Sequence, residues 1–352
     1  MYPADEEYRM PAEWEPHERT LISWPLRRSM RFPEDYEKVI AGYAGFVAAI
    51  AEFEPVTVIA ADRKETQRLC RRFAKRNVDV WTLPHDDSWL RDNGPTILVN
   101  RDGRRAGVNW RFNAWGEKYA PWDLDDRLAP LILDCMGMRR FDAPFVLEGG
   151  SIHVDGEGTL LTTAQCLLHS NRNPGSSRYA VENGLKRFLN VRRVIWLPNG
   201  LAGDETDGHI DNVACFAAPG KVLIQTCADP TDENYVPARQ NLKRLKEAVD
   251  ATGRRLSITA IPQPPVRYKR GKRLTMSYLN FYLVNGGVIL PVFGGDAAAT
   301  DRAAETILQS MFPDRRVRTV DGTAIIGEGG NVHCATQQVP AAVRRNARCE
   351  MS

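Results

Sequence analysis

The sequence predicts an α/β protein made of about five compact β-rich units that each contain one helix. Helix-like segments recur roughly every 60 residues, with short β-rich runs between them. One turn-and-strand segment, Glu148-Gly149-Gly150, occurs again as Glu328-Gly329-Gly330. No Pro/Gly/Ser-rich linker interrupts the chain, so we predict a single domain over residues 1–341 and a flexible tail over 342–352.

The helices are indicated by apolar periodicity. Between Asp35 and Phe53, apolar residues recur at three- and four-residue steps, which is typical of an amphipathic helix. Glu54-Pro55 ends that helix, because the residue before proline avoids helical backbone angles. Five further helices are predicted to begin near Asp62, Asp123, Ser176, Asp232 and Ala298. Strands are predicted at 56–60, 78–82, 106–110, 159–163, 192–197, 221–226, 255–261 and 278–293.

The repeated segment continues with a strand-like run in both copies. Its paired glycines predict a tight turn with positive φ before each strand, since glycine enters that backbone region without a steric penalty. The two copies differ at their last position, where Cys334 replaces Val154. A thiol in place of a packing residue indicates a local specialisation of the second copy.

Composition and charge exclude several classes of protein. The chain has 47 Lys and Arg against 44 Asp and Glu, a net charge of +3, which argues against a nucleic-acid partner. Its seven cysteines form no Cys-x-x-Cys pair and are predicted to be reduced thiols. The N-terminus lacks a secretion signal, and the most apolar stretch, 277–295, is interrupted by polar residues and Pro291. We therefore expect a cytoplasmic protein without a membrane partner.

A basic cluster lies between two predicted strands. A solvated loop explains it better than a phosphate site, because it contains no interleaved aromatic residues and no helix start. Its members are Arg267, Lys269, Arg270, Lys272 and Arg273.

Four segments concentrate polar residues at predicted strand ends, where loops often hold functional groups. In an extended segment, His209 and Asp211 would point to the same side and could face one cavity. The segments are DDSWLRDNGP (86–95), LEGGSIHVDG (147–156), GDETDGHIDN (203–212) and GEGGNVHCATQQ (327–338).

A dense acidic run surrounds His209 and indicates a cation nearby. Four carboxylates within eight residues repel one another unless they are solvated or bind a cation. A metal ion is one candidate, but the sequence has no His-Glu-x-x-His, EF-hand or paired-cysteine pattern. We therefore predict no metal, and a metal-dependent amidinohydrolase stays open as the alternative. The acids are Asp204, Glu205, Asp207 and Asp211, and the candidate metal ligands are His153, Asp155, His209 and Asp211.

A cationic guanidinium is the second candidate, and it uses the available residues better. Carboxylates can hold this planar group by bidentate hydrogen bonds, and Asp92 and Asp211 are our candidates. The central guanidinium carbon is then the electrophile for a Cys334 thiolate, with His209 as acid and base. Glu148 either hydrogen-bonds His209 and keeps it protonated, or accepts hydrogen bonds from the amides of its own turn.

The chain resembles the agmatine deiminases, of the wider peptidyl-arginine deiminase and guanidino-group-modifying superfamily, nearly from end to end. The resemblance implies a five-bladed, pseudo-symmetric α/β-propeller of ββαβ modules, the pentein fold. The segments that carry it include MPAEWEPHERTLISWP (10–25), FEPVTV (53–58), DDSWLRDNGPT (86–96), NWRFNAWG (109–116), NRNP (171–174), GDETDGHIDN (203–212) and GGNVHCATQQ (329–338).

Further roles are implied by the same resemblance. Trp89 is the aromatic wall beside the alkyl chain of the substrate, and Glu205 meets its distal amine. Trp115 either closes the entrance or belongs to the core. The implied catalytic residues are Cys334, His209, Asp92, Asp211 and Glu148.

The implied reaction converts agmatine and water to N-carbamoylputrescine and ammonia, a step toward putrescine, without a cofactor. A homo-oligomer, commonly a dimer, is also implied. Deimination of free or peptidyl arginine and a non-catalytic polyamine-binding protein are the alternatives.

Overall fold

The computed structural model describes residues 1–342. The strands of this part of the chain form five small sheets and one two-stranded hairpin. Each of the five sheets begins with two antiparallel strands, and a helical crossover then leads to a third strand parallel to the second. This ββαβ plan, repeated five times, confirms the predicted α/β-propeller.

The first module contains the longest helix of the described chain. The apolar stripe predicted between Asp35 and Phe53 faces inward there, with Tyr43, Phe46 and Ile50 buried. Asp62 caps the next helix by accepting a hydrogen bond from the backbone amide of Glu65. The elements of the first module are β1 (His17–Ser23), α1 (Tyr36–Ile50), β2 (Val56–Ala60), α2 (Arg63–Arg72) and β3 (Val78–Thr82).

The second and third modules have less regular crossovers. The second contains α3 (Leu90–Asn93), β4 (Thr96–Val99), β5 (Arg105–Arg111), α4 (Ala114–Glu117), α5 (Asp123–Asp126), α6 (Leu128–Cys135) and β6 (Arg139–Val146). The third contains β7 (Ile152–Val154), β8 (Thr159–Thr163), α7 (Ala164–Leu167), α8 (Arg178–Leu189) and β9 (Arg193–Leu197).

The fourth and fifth modules are separated by the hairpin. The fourth contains β10 (Ala214–Ala218), β11 (Lys221–Thr226), α9 (Tyr235–Glu247) and β12 (Ser257–Pro262), and the hairpin consists of β13 (Tyr268–Lys269) and β14 (Lys272–Arg273). The fifth contains β15 (Tyr282–Val284), β16 (Gly287–Val292), α10 (Ala298–Met311) and β17 (Arg316–Asp321).

The C-terminal part of the described chain returns to the first module. It contains α11 (Thr323–Ile326), α12 (Val332–Ala335) and β18 (Thr336–Pro340). Strand β18 pairs antiparallel with β1, with Ile22 opposite Thr336. The first and last strands therefore close the circle of modules. Most of the predicted tail, 343–352, lies outside the described residues.

A single helical turn directly precedes the first strand of each module, and the five turns contact one another in a closed ring. This ring places the same part of each module at the centre of the molecule. The turns are α3, Gly149–Ser151, Ile210–Asn212, Tyr278–Asn280 and α12.

The six predicted helices all exist, and the predicted strands 56–60, 78–82, 159–163 and 221–226 have the observed bounds. The single run predicted at 278–293 is wrong, because a turn with Gly286 at φ +73° divides it into β15 and β16. Strand β17 was not predicted, because half of its residues are charged and most of its side chains are at least partly exposed.

The basic cluster also differs from the solvated loop that was predicted. It forms the β13–β14 hairpin, and each of its cations contacts a carboxylate. The pairs are Arg267–Asp296, Lys269–Asp35, Arg270–Glu34, Lys272–Glu205 and Arg273–Asp232. Among residues 1–342, no helix is both long and apolar enough to cross a membrane.

Candidate active site

The ring of helical turns gathers one polar side chain from each module. Asp92 comes from α3, Glu148 precedes the turn of the third module, and Cys334 lies in α12. Asp211 and Asn280 come from the turns of the fourth and fifth modules. All five side chains are buried. The pseudo-symmetry of the fold thus converts five distant sequence positions into one polar centre.

The Cys334 thiol lies between a carboxylate and an amide. Its Sγ is 3.4 Å from Asp211 Oδ2, and Asn280 Nδ2 donates to Sγ at 3.0 Å. Burial, reinforced by the Asp211 and Asp92 carboxylates, raises the pKa of Cys334 well above its ordinary value. Cys334 is therefore a protonated thiol in the free protein, and a bound cation is needed to favour the thiolate.

His209 lies between two acids. Its Nδ1 is 3.7 Å from Asp92 Oδ1, and its Nε2 is 3.7 Å from Glu148 Oε2. Burial alone would lower the pKa of His209, but the Asp92 carboxylate, together with Cys166 and Glu148, raises it well above the ordinary value. Neither ring nitrogen has a hydrogen-bond partner within residues 1–342. The imidazolium can therefore donate a proton to a bound substrate.

Glu148 contacts both His209 and an arginine that the sequence analysis did not single out. Arg172 Nε donates to Glu148 Oε1 at 2.5 Å. Burial would raise the pKa of Glu148, but the His209 contact and the Arg172 charge hold it below the ordinary value. The amide of Ser151 bonds to the backbone carbonyl of Glu148 rather than to its side chain. The side chain of Glu148 therefore does not accept the amide of Ser151, and its Oε2 faces His209 Nε2 at 3.7 Å without a hydrogen bond.

Asp92 and Asp211 face the same small volume as His209. A Cβ atom placed on Gly150 would lie 2.6 Å from His209 Nδ1, 2.8 Å from Asp92 Oδ1 and 3.0 Å from Asp211 Oδ2. The two carboxylates differ in proton affinity. Burial, with Asp211 and Glu148 nearby, raises the pKa of Asp92. Burial would raise the pKa of Asp211 too, but its hydrogen bond from His333 lowers it.

A pocket leads from Cys334 toward the surface, and four of the five predicted substrate-binding residues line it: Trp89, Asp92, Trp115 and Glu205. The fifth, Asp211, lies behind Cys334 and does not line the pocket. Trp89 and Trp115 are buried in its wall, with 8% and 6% of their surface exposed. Trp115 Nε1 donates to Asp92 Oδ2 at 2.9 Å, so this residue lines the pocket and also orients an acid of the site.

The predicted contact of Glu205 with a distal amine meets a competing arrangement. Its carboxylate lines the pocket, but it already contacts Arg31 and Tyr119, and Lys272 Nζ lies 3.2 Å away. Three donors therefore occupy Glu205 in the absence of a substrate.

Three buried groups could in principle hold a metal ion, since ligand atoms of Glu148, Cys166 and His209 lie within 4.8 Å of one another. The guanidinium of Arg172 already forms an ion pair with Glu148 Oε1 there. A divalent cation would have to displace the proton of His209 beside that positive charge. The charges of this cluster thus favour a protonated His209 over a metal ion.

Comparison with known proteins agrees with this geometry. Residues 9–340 match the model of the Porphyromonas-type peptidyl-arginine deiminase family. The chain belongs to this family. Cys334, His209, Asp92, Asp211 and Glu148 all lie within the matched residues.

Relatives within and around the family are similar over nearly the whole chain. An agmatine deiminase of Pseudomonas aeruginosa (strain LESB58) is 44% identical, and the match covers 96% of this chain and 97% of that protein. A solved structure of the Enterococcus faecalis agmatine deiminase is 36% identical, with a TM-score of 0.90 and coverage of 97% and 98%. A substrate-bound structure of the C. jejuni agmatine deiminase, with a cysteine replaced by serine, is 28% identical, with a TM-score of 0.87 and coverage of 96% and 97%.

Four residues at or near the site were not singled out from the sequence: Glu13, Arg172, Asn280 and His333. Glu13 and Arg172 lie in segments that carry the family resemblance, MPAEWEPHERT and NRNP. Asn280 could have been found from the sequence, because a polar residue that interrupts an apolar run indicates a candidate functional position. Their roles depend on contacts between residues far apart in the chain, which no local pattern records.

Three local predictions are wrong. Cys334 lies in α12 and not in a strand, and Asp211 lies in the helical turn Ile210–Asn212, which His209 directly precedes, rather than in an extended segment. Within the repeated glycine pairs only Gly329 has a positive φ, of +113°. The other glycines are required by close packing. At Gly330, a Cβ atom would lie 2.7 Å from the ring of Trp89.

We expect Gly150→Ala to reduce kcat/KM by about 100-fold, because displacing catalytic groups by about 1 Å costs that much. The added methyl group would push into His209, Asp92 and Asp211 together. Gly45→Ala in α1 is the control, since a Cβ atom there meets nothing within 4 Å. Steady-state ammonia release measures both variants. Wild-type activity of a folded Gly150→Ala protein would contradict the described convergence of the three groups.

Proposed function

We propose that this protein is an agmatine deiminase, which hydrolyses agmatine to N-carbamoylputrescine and ammonia. The convergence of Asp92, Asp211, His209 and Cys334 carries the proposal. Two carboxylates can hold a guanidinium group, a thiol is placed to attack its central carbon, and an imidazolium is placed to protonate the leaving nitrogen. The relatives described above bear the name agmatine deiminase.

The first half of the reaction forms a covalent intermediate. Binding of the guanidinium between Asp92 and Asp211 adds a positive charge beside Cys334, so the thiol releases its proton to solvent. The Cys334 thiolate then attacks the central carbon and forms the carbon–sulfur bond. His209 donates its proton to one terminal nitrogen, the carbon–nitrogen bond breaks, and ammonia leaves. The product of this half-reaction is an amidino-cysteine.

The second half releases the product and restores the protein. Neutral His209 accepts a proton from water, and the hydroxide attacks the amidino carbon. The carbon–sulfur bond breaks, the proton of the added hydroxyl passes to the departing Cys334 sulfur, and the carbon keeps the oxygen as the carbonyl of a urea group. Glu148 and Arg172 stay in contact throughout and keep a negative charge beside His209, which favours its reprotonation.

The far part of the pocket is acidic, which favours a substrate with a cationic tail. Burial and the neighbouring Asp125 raise the pKa of Asp87 to about 8, and burial raises the pKa of Glu328. Glu328 Oε2 accepts the backbone amide of Arg31 at 2.7 Å, while its Oε1 has no hydrogen-bond partner within residues 1–342. A bound ammonium group would stabilise the ionised form of these acids.

Deimination of arginine is the second candidate, because Arg31 lines the same pocket and could bind a carboxylate. The guanidinium of Arg31, however, already contacts Glu205 and Tyr119. Ammonia release from agmatine, free arginine and an arginine peptide tests the choice. A higher kcat/KM for agmatine supports the proposal, and a preference for either arginine substrate contradicts it.

We expect Glu328→Gln to raise the KM for agmatine about tenfold with little change in kcat, since loss of one charge-assisted hydrogen bond costs about 1.4 kcal/mol. Butylguanidine, which lacks the distal amine, should show no such increase. Glu305→Gln on the exposed side of α10 is the matched control. An equal rise in KM for both substrates would show that Glu328 does not contact the amine.

We also propose a cytoplasmic location, one catalytic unit over residues 1–341, and a homo-oligomer, most simply a dimer. All six cysteines within the described residues are free thiols, which suits a reducing compartment. Sedimentation or light scattering of the purified protein measures the oligomeric state.

A further inference from the structure

A chain of buried side chains joins the N-terminal segment to the substrate-binding acids. Glu13 lies in the turn before β1, and its Oε1 is 2.8 Å from His333 Nε2. The other ring nitrogen, His333 Nδ1, lies 3.0 Å from Asp211 Oδ2. The exposed fractions of Glu13, His333 and Asp211 are 4%, 2% and 1%. The mechanism described above uses neither Glu13 nor His333.

His333 precedes Cys334 in the sequence, but its geometry does not suit it to act on the thiol. Both of its ring nitrogens face carboxylates, one on each side. An imidazole can donate from both nitrogens at once only in its protonated form. The arrangement Glu13–His333–Asp211 is therefore an anion, a cation and an anion in line.

We propose that His333 is a positioning residue for the guanidinium site, which links the Asp211 carboxylate to the buried Glu13 carboxylate and so fixes the orientation and charge of Asp211. The proposal rests on the proposed function, because Asp211 is the acid that binds the guanidinium there. Glu13 acts one step further away, as the anion that holds the proton on His333.

The charged groups around Glu13, His333 and Asp211 agree with an anion, a cation and an anion in line. Arg91 lies 3.4 Å from Glu13 Oε1, and His153 Nε2 lies 3.7 Å from Glu13 Oε2. Burial would raise the pKa of Glu13, but His333 and Arg91 hold it well below the ordinary value. Burial and Arg91 would lower the pKa of His333, yet Glu13 and Asp211 raise it. On the other side, His209 and Cys334 face Asp211.

This arrangement explains why the two substrate-binding acids differ. Asp92 has a raised pKa and Asp211 a lowered one, although both are buried at the same centre. Without the His333 cation, burial would dominate at Asp211 and raise its pKa. On acidification, Asp211 would then become protonated at a higher pH than it does in the wild-type protein. Guanidinium binding would fail over a pH range in which the wild-type protein still binds.

His333→Gln and Glu13→Gln test the proposal through the pH dependence of kcat/KM for agmatine. We expect His333→Gln to move the acid limb upward by about one pH unit and to raise KM about tenfold, more than it lowers kcat. Glu13→Gln should shift the same limb in the same direction by less. The double variant should be no worse than His333→Gln alone, because the two side chains act through one chain of contacts.

A second buried pair supplies the matched control. His17 Nδ1 lies 3.1 Å from Glu54 Oε1, and both side chains are as buried as His333 and Glu13. His17→Gln and Glu54→Gln should lower the melting temperature without moving the acid limb. If His333→Gln only lowers the melting temperature and leaves the limb in place, its role is structural and the proposal is wrong. Glu13→Gln, which conserves size and can still hydrogen-bond, gives the answer if His333→Gln does not fold.

Nuclear magnetic resonance of the histidine rings gives a readout that needs no substrate. The chain has six histidines, and the His333 signal is identified by its loss in His333→Gln. We expect the wild-type ring to keep its second proton to a higher pH than an ordinary histidine does, because the neighbouring carboxylates raise the pKa of His333, and we expect loss of that proton at lower pH in Glu13→Gln. A His333 ring that loses its second proton at a lower pH than an ordinary histidine would overturn the inference even if agmatine is hydrolysed. A protonated His333 in a protein that does not hydrolyse agmatine would instead contradict the proposed function alone.

Discussion

Replacing Cys334 with serine should reduce ammonia release from agmatine by about 10⁴-fold or more, since loss of a nucleophile typically costs this much. Serine is similar in size, but its hydroxyl is far less acidic than a thiol and a nearby cation does not ionise it. Asn280 and Asp211 can still hydrogen-bond the hydroxyl, so the melting temperature should change little. Steady-state assays and thermal unfolding measure the two quantities.

The covalent intermediate itself should be detectable in the wild-type protein. Intact mass after brief incubation with agmatine should show one amidino adduct, located on Cys334 by peptide mapping. Cys70→Ser is the control, because this exposed thiol lies on α2 and should affect neither the adduct nor the rate. Full turnover by Cys334→Ser, or an adduct on another cysteine, would falsify the mechanism.

His209→Gln should lower kcat by about 10² to 10⁴-fold, which is the usual contribution of a general acid and base. Both half-reactions should slow, because the same imidazole protonates the leaving ammonia and later activates water. Guanidinium binding should weaken as well. His209 is the cation that opposes the raised pKa of Asp92, so without it Asp92 is protonated over a wider pH range. KM should therefore rise most steeply on the acid side.

Stability gives a second signature of His209. Its removal leaves the buried Asp92 and Glu148 without a cation between them, and breaking a buried pair costs about 3 to 5 kcal/mol. His85→Gln is the control, since His85 is equally buried but bonds only to backbone carbonyls. A folded His209→Gln protein with near wild-type kcat would remove His209 from the mechanism.

The sequence allowed most of the chemistry to be predicted, because the reacting residues are of unusual type for their positions. Cys334 differed from Val154 in its sister segment, and the acids before His209 indicated a cation. Arg172 and His333 could not be given roles in this way, because each acts through contacts between residues that are far apart in the sequence. Their function depends on which turns the fold brings together.

The same distinction applies to the fold. The strands Val78–Thr82 and Lys221–Thr226 were predicted from the sequence and have the expected bounds. Strand Arg316–Asp321 contains the charged residues Arg316, Arg318 and Asp321 and has no alternating apolar face, so periodicity alone does not distinguish it from a loop. The paired glycines were recognised, but most of them are required because neighbouring groups pack too closely for a Cβ atom and not because of a positive φ. Close packing between distant residues leaves no local pattern in the sequence.

The pairing of β18 with β1 has a consequence for the order of folding. The nucleophile is carried by α12, directly before β18, whereas Glu13 lies directly before β1, and the Glu13–His333 contact joins residues 320 positions apart. Contacts over such a separation form late, because the entropy of closing a long loop must be lost before they stabilise the protein. Activity therefore reports on closure of the circle of modules, since Cys334 reaches Asp92 and Asp211 only when β18 has paired with β1.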